Sequence, residues 1–70
     1  MKVTAFKLAR ISGGFDQATV AMVVGVPENT ISKFETGRAL PTVGQARLLA
    51  EFLGKPTFEL FPQGVKGIRA

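Results

Sequence analysis

The chain has 70 residues, enough for one domain and no second core, and a domain this small hides only about 60% of the surface its unfolded form exposes, so self-association is expected. With 46% apolar and 20% charged residues it has the make-up of a folded domain, and its lack of cysteine and histidine excludes disulfides, thiolate chemistry and the usual zinc ligands. Nine Lys and Arg against five acids give a net charge of +4 and a pI near 10.2, which draws the chain toward polyanions, nucleic acid first among them.

Helical signals dominate, and no stretch alternates with period two for long enough to suggest a sheet. The first helix is expected from about Lys2 to Ser12, with Val3, Phe6, Ala9 and Arg10 at helical spacing, and stops at Gly13-Gly14. Asp16 suits the N-cap of a second helix, Gln17 to Val24, whose inner face is Val20, Ala21 and Val24. Gly25 is placed to supply the left-handed turn that ends it. Pro27 opens a third helix with Ile31 and Phe34 as its apolar pair, ending at Gly37. Residues 38–41 read as a loop and Thr42 as the next N-cap. A fourth helix, Val43 to Leu53, carries Val43, Ala46, Leu49, Ala50 and Leu53 on one face and closes at Gly54. A single turn, Thr57 to Phe61, brings Leu60 and Phe61 over the core. The domain is expected to span residues 1–62, with 63–70 a basic tail carrying Lys66 and Arg69.

The informative stretch is Gln17 to Thr36, two short helices joined at Gly25. Ala21 is small enough to let them cross closely, and Val20, Val24, Ile31 and Phe34 are spaced to pack between them. That arrangement props the second helix outward, as reading the major groove requires. The side chains pointing away from Ile31 and Phe34 are Glu28, Asn29, Ser32, Lys33 and, just beyond, Thr36, all able to hydrogen-bond. From Glu28 to Lys33 is about 7.5 Å of helix axis, the length of two to three base pairs. Asn29 can pair with adenine through N6 and N7, Lys33 can donate to guanine O6 and N7, and Glu28 must accept from cytosine N4 or be held by a neighbour such as Gln17.

The segment D-Q-A-T-V-A-M-V-V-G-V-P-E-N-T-I-S-K-F-E-T-G-R, Asp16 to Arg38, followed by A-L-P-T-V and L-A-E-F-L-G-K-P-T-F-E-L-F, resembles the phage repressor/Cro-type helix-turn-helix family, over about Phe6 to Phe61. The joint occurrence of Gln17, Gly25, Ile31-Ser32, Glu35, Gly37 and Glu59-Leu60-Phe61 makes the likeness specific. It implies an all-α fold, a lambda-repressor-like bundle of five short helices, that binds a palindromic operator in double-stranded DNA as a homodimer. It further implies base reading by Glu28, Asn29, Ser32 and Lys33, and phosphate contacts from Gln17, Thr36 and Arg38. Arg10 and Glu35, both on otherwise apolar faces, are implied to form a partly buried ion pair between the first and third helices. The expected setting is cytoplasmic, bacterial or phage-encoded and nucleoid-associated.

Departures from the family pattern suggest a partner surface. Thr19, Met22 and Val23 stand where relatives carry polar or charged residues, and Leu48 and Phe52 flank the core stripe of the fourth helix. Leu48, Phe52 and Phe58 are therefore candidates for a dimer seam, and Met22 and Val23 for contact with another protein. Gly13-Gly14 suggests a looser approach to the second helix, and Pro27 and Pro56 replace the more usual serine caps. The leading expectation is a small repressor or Cro-like regulator acting by steric occlusion. The alternative is an antitoxin or antirepressor-type module whose main partner is a protein and for which DNA is secondary. No run of about 18 apolar residues or signal-peptide pattern points to a membrane. An enzyme is not expected: no Ser, acid or Lys cluster has a histidine or cysteine companion, and neither a phosphate loop nor metal-ligand spacing is present, so no cofactor and no metal are called for.

Overall fold

A computed structural model describes residues 4–69. Five helices follow in chain order: α1 (Ala5–Ser12), α2 (Gln17–Val24), α3 (Glu28–Thr36), α4 (Val43–Leu53) and α5 (Thr57–Leu60). Two two-residue strands, β1 (Gly64–Val65) and β2 (Ile68–Arg69), pair antiparallel after them. The architecture is all-α apart from this hairpin.

Helix ends follow local chemistry. Thr4 caps α1 by accepting from the Lys7 N–H, so the helix starts three residues inside the expected boundary; Lys2 and Val3, which the spacing assigned to it, lie outside the described residues. Thr42 and Gln45 form a reciprocal capping box at α4, a Thr-x-x-Gln pattern visible in the sequence. Gly25, Gly37 and Gly54 close α2, α3 and α4 in the left-handed conformation that a side chain would strain. Pro27 and Pro56 occupy the N-cap positions of α3 and α5 with no side-chain cap bond, leaving the fixed proline φ to set the helix start.

Asp16 caps α2 through the Thr19 N–H at 2.8 Å. Hydrogen bonds from Thr19, its side chain first and then its backbone, hold the exposed carboxyl below its ordinary value of 3.8, with Arg10's charge acting the same way. A lowered folded-state pKa means that the contribution is complete above the unfolded value and disappears as pH falls through the folded one. Asp16→Asn keeps an accepting oxygen but cannot titrate. The melting-temperature advantage of wild type over this variant is therefore expected to shrink as pH drops below about 4; a gap that stays constant from pH 7 to pH 3 would contradict the assignment.

The core is Phe6, Val20, Ala21, Ile31, Phe34, Ala46, Leu49, Leu60 and Phe61, all buried. Phe6, Phe34 and Phe61 meet ring to ring, with centroids 5.2–6.5 Å apart, and tie α1, α3 and the end of α5 together. Val24 packs at the edge of this cluster, as its place on the inner face of α2 predicts.

Four expectations need correcting. Val43, read as part of the inner stripe of α4, is exposed, because it sits in the capping turn beyond the reach of the core. The approach to α2 is not loose: the Gly14 N–H bonds Ile11 O, the Phe15 N–H bonds Arg10 O, and the Phe15 ring lies where a Cβ on Gly13 would stand, 2.7 Å from Phe15 Cε2. Phe52 is half-buried and spent within its own chain, its ring 4.4 Å from that of Phe15. The stretch expected as a basic tail folds back. Its Lys66 N–H donates to Pro41 O at 2.7 Å, Val65 packs against the core, and Gly67 adopts a φ of 87° at the turn. Ala70 lies outside the described residues.

Candidate nucleic-acid interface

The third helix divides cleanly into two faces. Ile31, Phe34 and Glu35 are buried, while Glu28, Asn29, Lys33 and Thr36 are exposed and Ser32 is half-exposed. The inward residues repeat at three and four, so the others are forced onto the opposite flank. Val20 and Ala21 of α2 lie under α3, and the small Ala21 side chain permits close crossing. Arg38, one residue past the left-handed Gly37, is exposed beside the end of α3. Its backbone N–H donates to Lys33 O at 2.9 Å, which holds the loop against the helix.

An ion-pair network fixes α3 from within. Arg10 Nε donates to Glu35 Oε2 at 2.5 Å and Nη2 to Oε1 at 3.4 Å, a two-pronged contact between α1 and α3. Arg10 Nη1 also donates to Phe15 O at 2.7 Å, so the same guanidinium ties down the loop leading to α2. Gln17 completes the group: its Nε2 donates to Glu35 Oε1 at 3.0 Å. The sequence reading offered Gln17 to Glu28 as a neighbour; its amide instead meets Glu35, and no spacing rule signals a contact between residues 18 apart. Every buried side-chain nitrogen and oxygen among the described residues has a partner.

Thr36 is also engaged. Its hydroxyl donates to the carbonyl of Ser32 at 3.1 Å, with Lys33 O at 3.3 Å. A hydroxyl has one proton to give, so donation to a phosphate requires breaking this local bond.

The apolar candidates divide. Met22 is 83% exposed, Phe58 74% and Leu48 44%, whereas Val23 is half-exposed and Phe52 is the partner of Phe15. Leu8 and Ile11 of α1 are exposed as well, and the sequence reading missed them. They lie on the outer side of a helix whose inner side holds Phe6 and Arg10, a split that helical spacing does signal. Among the described residues no helix is long and apolar enough to cross a membrane, and no group of three or more Asp or Glu is arranged to hold a metal ion.

The comparison with curated proteins finds no match. A helix-turn-helix family model, HTH_3, matches residues 6–60, which take in all five helices save the first residue of α1. With the buried network behind α3 and its polar flank outward, the chain belongs to the Cro/C1-type helix-turn-helix family of DNA-binding transcriptional regulators.

Proposed function

We propose that the domain is a sequence-specific repressor of the Cro type, which binds a palindromic operator as a homodimer and occludes a promoter. The observation that carries this reading is the outward flank of α3, five hydrophilic side chains backed by Ile31, Phe34 and the Arg10–Glu35 pair. Asn29 reads adenine, Lys33 reads guanine, Glu28 accepts from cytosine N4, and Ser32 serves either base type. Gln17, Thr36 and Arg38 meet phosphates. Gln17 is equipped for this because its amide has a second hydrogen beyond the one given to Glu35.

The domain measures 28 × 27 × 22 Å. Two copies side by side on one face of a duplex suit recognition helices about 34–36 Å apart, the spacing of half-sites one helical turn apart. Leu48 and Phe58 supply apolar surface for such a pair. Selection from random duplexes is expected to enrich two-fold symmetric sites with half-site centres about 10–10.5 bp apart. Asymmetric winners would remove the dimer, and no enrichment would remove sequence-specific binding.

A second reading has Met22 in its favour, the most exposed large apolar side chain among the described residues, on a helix without a charged residue. On that reading the main partner is a protein, in the manner of an antitoxin or antirepressor. A chain that stays monomeric and ignores duplex DNA, yet forms a stable complex with a partner lost on Met22→Glu, would favour it.

A further inference from the structure

The hairpin after α5 adds charge beside the end of α3. The Lys66 N–H donates to Pro41 O at 2.7 Å, and the Pro41 side chain is itself fully buried, so the turn is pinned to the loop that carries Arg38. Gln63 lies at the start of the hairpin segment: a Cβ on Gly37, the cap of α3, would lie 3.8 Å from Gln63 Nε2. Val65 packs against the core and Gly64 N–H bonds Phe61 O, which anchors the hairpin at its base. Lys66 and Gln63 are nevertheless exposed, and residues 36–41 and 61–69 contain no acid to neutralise them.

We propose that the hairpin is a second phosphate-binding element, in which Lys66, assisted by the Gln63 amide, holds the DNA backbone next to the phosphate met by Arg38. The proposal rests on the DNA-binding reading above and extends it beyond the matched residues 6–60. The chemistry requires only a cation and an amide donor on a hairpin whose backbone is anchored to the loop that follows α3. Such contacts carry no sequence information and set orientation on the duplex. Lys66 contributes charge through its side chain while its backbone N–H maintains the fold, so Lys66→Ala removes the first and keeps the second.

The experiment measures binding to a random-sequence duplex across a salt series for wild type, Lys66→Ala and Lys55→Ala, with circular dichroism melts as a check on folding. Lys55 is the control for net charge, since it sits with Leu8, Ser12 and Glu59 in the groove between α1 and α5. Each phosphate released is expected to lower the log–log salt slope by about 0.9. Lys66→Ala is expected to show that loss and Lys55→Ala to leave the slope within error of wild type. Equal slopes for Lys66→Ala and Lys55→Ala, whether both fall or neither does, overturn the hairpin's role while the wild-type slope stands. A wild type that does not bind the duplex, or binds without salt dependence, overturns the underlying reading together with it.

Discussion

Glu35→Ala is expected to remove a large part of the domain's stability. In the folded chain Glu35 accepts from Arg10 Nε, Arg10 Nη2 and Gln17 Nε2, and its side chain is only 3% exposed. Removing the carboxylate leaves an arginine side chain only 11% exposed with one remaining bond, to Phe15 O. Stranding one member of a buried pair is worth about 3–5 kcal/mol. A 70-residue domain has a total stability of only about 3.5–10 kcal/mol on the usual per-residue scale, so the loss consumes about 30% of it at the least. At about 4–8 °C per kcal/mol for a domain of this size, the melting temperature is expected to fall by more than about 12 °C. The pair itself is a different matter, because joint replacement by apolar residues removes both desolvation penalties. Arg10→Met combined with Glu35→Leu is therefore expected to melt above either single variant. Thermal melts of the five proteins by circular dichroism settle the point: a Glu35→Ala variant that melts within about 2 °C of wild type would show the network to be energetically idle.

The parts of this fold written in local chemistry could be read from the chain, and the parts that depend on distant neighbours could not. Gly25, Gly37 and Gly54 terminate helices where they occur because a left-handed cap is decided by one residue, and Asp16 and Thr42 begin helices for the same reason. The polar flank of α3 was legible by subtraction. Once Ile31 and Phe34 are assigned inward, a period of 3.6 leaves nowhere else for Asn29 and Lys33. The same period overreached at Val43, since it identifies a stripe along α4 without saying where the facing core stops. Phe15 meets Phe52 across 37 positions, and Gln17 meets Glu35 across 18; no spacing rule reaches that far. The hairpin was hidden for a further reason. Its strands are two residues long, too short for alternation to show, and its position is decided by Pro41 and the core, not by its own sequence.

Exposure of that flank leads to the second large effect, which separates residues that read bases from residues that hold the backbone. Asn29 is uncharged, so its removal cannot alter the counterion term, yet a bidentate contact to adenine is worth about 1–3 kcal/mol of discrimination. Asn29→Ala is expected to bind a selected duplex about 5- to 150-fold more weakly than wild type, while binding random DNA with unchanged affinity and salt slope. Lys33→Ala loses a base contact and a charge together. Its expected signature is weaker binding to both duplexes, a larger loss on the selected one, and relaxed preference at one or two base pairs. Arg38→Ala has no base to read from the loop after α3, so it is expected to weaken both duplexes by the same factor and to lower the slope by about 0.9. Fluorescence anisotropy titrations with the two duplexes at several salt concentrations distinguish the three outcomes. Equal losses on selected and random DNA for Asn29→Ala would mean that this residue merely faces water, and the specificity would then have to come from Glu28, Ser32 and Lys33 or from the bending of the duplex.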